Sequence, residues 1–210
     1  MLTVFGKNIP MSLSELFLRK SALIVWDMQE GIARRAVAVD DITPNIRALA
    51  GAARQRHLPV IYSQHFSLPL EAESDVFIRT QLRRLPSVDA SSLTPLSLPG
   101  TKACELLPEI APLSGDIVLP KLRASFFVDS PFRNVLASAG VDVIVLTGVA
   151  TNRGILSTAA DAVNYYGIFP VVISDATSAF TKEDHALGLT QLRDIADVCT
   201  TREVLAAWSS

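Results

Sequence analysis

A doubly wound α/β fold, with a mostly parallel sheet covered on both faces by helices, is predicted by three features of the chain. Apolar runs of strand length alternate with helically spaced patterns about six times. The runs are nearly continuous rather than alternating, as in strands buried on both faces. The 210 residues are 49% hydrophobic and 19% charged, enough to bury roughly 70% of the unfolded surface in one core. No linker or internal repeat divides the chain, so one domain over residues 1–210 is expected.

The first strand is residues 21–27, five apolar residues closed by Asp27. Residues 42–56 follow as an amphipathic helix, with Ile46, Leu49, Ala50 and Ala53 on one stripe. Residues 58–63 and 116–119 read as the second and third strands. Asp129 reads as a cap, with Pro131 in the first turn of a helix that Gly140 ends. Residues 141–148 form the fourth strand and 151–166 a helix stopped at Gly167. Residues 169–175 are the fifth strand, 183–193 a helix and 197–200 the sixth strand. Thr201 caps a last helix with Glu203 in its first turn. Residues 66–115 hold six prolines, including Pro86, and one short helical pattern over 75–85. So long a segment with little regular structure reads either as a lid or binding loop or as a passive surface excursion.

Composition excludes several classes. Mean hydropathy of +0.33 and a net charge of −2 rule out intrinsic disorder. No basic footprint argues for nucleic acid, and no apolar run approaches the roughly 20 residues of a spanning helix. No secretory leader pattern is visible at residue 1, so a cytoplasmic protein is expected. Cys104 and Cys199 form no disulfide framework or metal knuckle and are expected as reduced thiols.

In an open parallel sheet, ligands bind beyond the carboxyl ends of the strands, where strand order reverses. The first five runs deliver to that rim Asp27 with Gln29, Gln64 with His65, Lys121, the turn from Gly148 to Gly154, and Asp175. Asp27 and Lys121, if their strands adjoin, form either a proton-transferring pair or a structural ion pair. The turn leads into a helix N-terminus, suited to an anion or simply to a tight reversal. Arg79, Arg83 and Arg84 could grip a carboxylate or form a solvated basic face. No histidine pair has metal-ligand spacing and no G-x-G-x-x-G or G-K-[ST] is present, so neither metal nor cofactor is expected. No cysteine stands at a strand end, and Cys104 and Cys199 are expected off the rim.

Six segments resemble the isochorismatase-like hydrolase superfamily: Ala22-Leu-Ile-Val-Trp-Asp-Met-Gln29, Pro59-Val-Ile-Tyr-Ser-Gln-His65, Lys121-Leu-Arg-Ala-Ser-Phe126, Leu146-Thr-Gly-Val-Ala-Thr-Asn152, Ser157-Thr-Ala159 and Ser174-Asp-Ala176. Their order and spacing match over residues 20–205. The resemblance implies a six-stranded parallel sheet, with the family Asp at Asp27, its Lys at Lys121 and its cis peptide at Val149-Ala150. Amide hydrolases of the family carry a nucleophilic cysteine four residues after that alanine; here the position is Gly154. Isochorismatases resemble this chain in having glycine there. They need no thiol, because the Asp protonates an enol-ether carbon, water attacks the oxocarbenium and pyruvate leaves. This chain departs from them at Ala150, where a bulky aromatic is usual, at Asn152, where they have histidine, and at His65, where they have glutamine.

The resemblance therefore implies a thiol-independent hydrolase of a small carbonyl or carboxylate compound, with an enol ether as one candidate. Asp27 would be the acid/base, Lys121 its electrostatic partner, and the Ala150 and Gly154 N–H groups the anion site. Gln29, His65, Val149, Ala150, Asn152 and Arg153 would line the substrate. A catalytically silent binding or scaffold protein, and a slow amide hydrolase using water activated by Asp27, are the alternatives. A homodimer or larger homo-oligomer is expected from the family habit and from apolar Phe66, Leu68, Leu70 and Phe77.

Overall fold

In the computed structural model, which describes residues 1–85 and 89–209, the six predicted strands form one parallel sheet. Pro86 lies outside the described residues. The chain opens with a hairpin that the sequence pattern had not indicated, β1 (Leu2–Val4) against β2 (Lys7–Ile9). Its turn, Phe5 and Gly6, has positive φ at both positions, which matches the twist of antiparallel strands. Then come α1 (Leu13–Leu16), β3 (Ser21–Trp26), α2 (Glu30–Ala33), α3 (Val39–Gln55), β4 (Val60–His65), α4 (Asp75–Arg84) and β5 (Ile117–Lys121). The second half holds α5 (Phe132–Ala139), β6 (Val143–Val149), α6 (Leu156–Asp161), β7 (Phe169–Ser178), α7 (Lys182–Leu192), β8 (Asp197–Cys199) and α8 (Thr201–Ser209). One π-helical turn precedes α6 (Thr151–Ile155) and another follows it (Ala162–Tyr166), making a continuous helix over the predicted 151–166.

Strand order is β5-β4-β3-β6-β7-β8. The chain winds outward from β3 through β4 to β5, returns to the other side of β3 as β6, and winds outward again. Strand order thus reverses between β3 and β6, and a crevice opens there at the carboxyl ends. β3 is central, and every one of its residues is buried. Leu23 and Val25 pack toward α3 and α8, while Ala22, Ile24 and Trp26 pack toward α5 and α6. This two-sided burial is why the strand is apolar throughout. Each such side chain contributes roughly 1.5–3 kcal/mol on leaving water.

Several caps differ from expectation. Pro131, not Asp129, stands at the N-cap of α5, and the Ser130 hydroxyl before it accepts from the Phe132 N–H at 3.2 Å. Asp129 faces Arg123 instead. Thr200 rather than Thr201 caps α8, exchanging hydrogen bonds with Glu203 as a capping box. Asp175 sits midway along β7, which runs on to Ser178, and is not at the rim. Its carboxylate accepts from the Thr201 N–H at 2.7 Å and serves the start of α8. Gly140 and Gly167 end their helices as predicted, and both adopt the left-handed conformation.

The segment over residues 66–115 is tied to the rim. Leu107 N–H donates to the Met28 carbonyl, Glu30 N–H to the Glu105 carbonyl, and the Ser97 hydroxyl to the His65 carbonyl. These bonds pack the segment against the strand ends, which both the binding-loop and the surface-excursion readings allow. Among the described residues no helix is long and apolar enough to cross a membrane.

Candidate active site at the carboxyl rim

Asp27 follows the last residue of β3 in a left-handed conformation, φ 43°. For a residue with a Cβ this costs of order 1–3 kcal/mol, and the surrounding bonds hold it. Its N–H donates to the Ser63 Oγ at 2.9 Å, and that hydroxyl donates back to Asp27 Oδ1 at 2.6 Å. Lys121 Nζ lies 2.7 Å from Asp27 Oδ2. Both groups are nearly sealed from solvent.

The strands carrying Asp27 and Lys121 do not adjoin, contrary to the condition set from sequence, because β4 runs between them. The long lysine stem bridges the end of β4 from its register partner His65. Lys121 Nζ also donates to the Arg123 carbonyl at 3.2 Å and stands 4.9 Å from the centre of the Trp26 indole.

Gly154 is buried in the π-helical turn after β6, as predicted for the rim. A Cβ there would fall 2.5 Å from Trp26 Nε1 and 2.7 Å from Cε2 and Cζ2. The indole therefore fills the space of any side chain at 154. The Val149-Ala150 peptide bond is cis. Val149 and Ala150 are buried in the core cluster. The Arg153 and Ile155 N–H groups both close on the Ala150 carbonyl.

Gln29, expected to touch substrate, is fully buried and wholly engaged elsewhere. Its Oε1 accepts from the His65 N–H at 2.7 Å, and its Nε2 donates to the His65 and Cys104 carbonyls at 3.0 Å. It clamps the end of β4 to the 66–115 segment. His65 is brought beside the pair, with its Nδ1 buried and without a hydrogen-bond partner among the described residues. Burial, then the positive charge of Lys121, push its pKa down to about 4, so the ring is neutral at physiological pH. Asn152 Oδ1 is likewise buried and unpartnered there. Arg153 is half-buried with its guanidinium 4.9 Å from the centre of the Phe180 ring, and burial, then Arg84, depress its pKa. Arg79, Arg83 and Arg84 are exposed, in keeping with a solvated face.

Cys104 is a correction: it lies at the rim, not off it. Its carbonyl accepts from Gln29 and Gln64, and its Sγ is 3.6 Å from Gln29 Nε2. A residue 75 positions from Gln29 gave no periodic signal of that proximity. Burial raises its thiol pKa, so it is held as a poor nucleophile. Sequence reasoning also missed Ser63, Trp26 and Thr151. Thr151 Oγ1 donates to the Ser178 carbonyl and so receives its second bond, 2.8 Å, from His185 Nδ1–H. A hydroxyl within an apolar strand and a tryptophan just before the aspartate were the signals available.

Among the described residues no group of three or more His, Cys, Asp or Glu is arranged to hold a metal ion. A cavity of about 170 Å³ beside the rim is lined by Gln64, Phe66 and Cys104 among others. A larger one of about 430 Å³ lies at the amino ends of β7 and β8, at the opposite end of the strands from Asp27.

An isochorismatase-domain family model matches residues 21–203. Ureidoacrylate amidohydrolase RutB of Pseudomonas syringae pv. syringae is 32% identical over 180 residues, 75% of this chain and 70% of that protein. The structure of an isochorismatase-like hydrolase from Alkaliphilus metalliredigens superposes with a TM-score of 0.74 at 26% identity, covering 90% of this chain and 99% of that one. An isochorismatase family protein from Burkholderia thailandensis gives 0.76 at 28% identity, covering 91% and 96%.

Proposed function

Because the chain belongs to the isochorismatase family of hydrolases, we propose that it hydrolyses a small carbonyl or carboxylate compound without a thiol intermediate. The observation that carries this reading is the Asp27–Lys121 pair, 2.7 Å apart beside a glycine whose side-chain space an indole fills. Asp27 takes a proton from water as the water oxygen adds to the substrate carbonyl carbon. The Ala150 and Gly154 N–H groups face the oxyanion that develops. Lys121 gives a proton to the leaving atom and is recharged by Asp27 across their contact. Neutral His65 offers an unpartnered ring nitrogen, and Asn152 an unpartnered acceptor oxygen, to polar groups of the substrate.

The relative named for amidohydrolase activity puts an amide-type C–N bond of a small ureido or amido acid first among the bonds to test. Enol-ether cleavage is the second reading, favoured by glycine at 154. It needs Asp27 as a proton donor, whereas both its oxygens are accepting from Ser63 and Lys121. That arrangement suits a base better.

The test is ammonia and pyruvate release from ureidoacrylate, a panel of small amides and isochorismate, with Asp27→Asn alongside. Turnover that falls about a hundredfold or more in the variant is expected, with iodoacetamide leaving the wild-type rate unchanged. Equal rates in both proteins, no better than buffer on every substrate, would favour a binding or scaffold role. Inactivation that tracks alkylation of Cys104 would make the reaction thiol-dependent after all.

A further inference from the structure

We propose that Trp26 is a positioning residue for Lys121, and that its indole can hold that place only because residue 154 is glycine. The observations are independent of the substrate. Trp26 is fully buried. Its indole edge rests against the bare Cα of Gly154, where any Cβ would come within 2.5–2.7 Å of three ring atoms. Phe126 meets the ring edge to face at a centroid distance of 5.3 Å. Gly154 and Phe126 thus bound the indole on two sides.

The Lys121 ammonium stands 4.9 Å from the ring centre, within the range of a cation–π contact. Two of its three N–H groups are met by Asp27 and by the Arg123 carbonyl. The indole occupies a further side of the ammonium, so the cation is held between a carboxylate, a carbonyl and an aromatic face. A free lysine stem has four rotatable bonds and would otherwise sample many positions. Anchored in this way, Nζ stays beside Asp27 where proton exchange between them is short. Gly154 thus does more than lack a nucleophile, since it makes room for the group that orients the base's partner.

The function assigned to the pair in the preceding section is assumed for the kinetic part of the test and not for the structural part. The chain has five lysines, and ¹³C-labelled lysine resolves their Cε resonances, with Lys121→Met assigning the relevant one. In the wild type, ring current shifts the Lys121 Cε protons upfield of the exposed lysines. The shift is retained in part in Trp26→Phe, and lost in Trp26→Leu. It is also lost in Gly154→Ala, which keeps the indole but displaces it. With a turned-over substrate, kcat falls about tenfold in Trp26→Leu and Gly154→Ala, KM changes little, and Trp26→Phe restores most of the rate.

A Lys121 resonance that is the same in wild type and Gly154→Ala overturns the proposal, as does a loss of kcat with no change in that resonance. Should Trp26→Leu fail to fold, Trp26→Phe and Gly154→Ala still decide the matter. A shift that behaves as expected while Asp27→Asn keeps full activity would refute the catalytic reading and leave the positioning role standing.

Discussion

Asp27 shows how much local arrangement a single side chain requires. It takes a left-handed backbone, a hydroxyl from the neighbouring strand and a cation from the strand beyond. The neutral imidazole of His65 beside it has a measurable cost. Its folded pKa of about 4 lies below the ordinary 6.5, so the unfolded chain binds more protons between those values. Stability attributable to His65 is therefore complete above pH 6.5 and falls as the pH drops toward 4, by about 3 kcal/mol. Denaturant melts of wild type and His65→Asn at pH 7.5 and 4.5 should show the larger acid loss in the wild type. Equal losses would mean that the ring is protonated freely in the fold.

At the scale of elements, the rim is assembled by a buried amide. Gln29 joins the end of β4 to the 66–115 segment through three hydrogen bonds. Replacing it by leucine strands the His65 N–H, since the two carbonyls keep Ser97 and Gln64 as donors. A loss of about 1–3 kcal/mol is expected. Hydrogen exchange should quicken at residues 64–67 and 102–106 and stay unchanged in β7 and β8. Uniform acceleration across the sheet would show that Gln29 supports the whole core and not this junction. Elements of this kind were only partly legible. The six strands and most helices followed from periodicity. The opening hairpin did not, because three-residue strands carry no usable period.

For the whole molecule, apolar surface is exposed at the opening hairpin as well as partly along residues 66–77. Phe66, Leu68, Leu70 and Phe77 are half-buried within the chain. Phe5 is 99% exposed and Leu2 49%, both on the opening hairpin. Two strands alone are marginally stable in water, and the homo-oligomer expected from the sequence would cover apolar surface of this kind. Sedimentation at micromolar concentration should show a species heavier than the 22.7 kDa monomer. A monomer only would contradict it.

Periodicity and strand-end polarity could be read along the chain, because each is a property of neighbours in sequence, whereas glycine at 154 drew notice only through the family resemblance. Those properties were enough for the winding of the sheet and for bringing Asp27, Lys121 and Gly154 to one rim. Contacts between distant segments could not be read in that way. Lys121 crosses the end of an intervening strand, Cys104 folds back to the rim, and an indole fills the space above Gly154. Each depends on side-chain volume and reach in three dimensions, which a one-dimensional spacing does not encode.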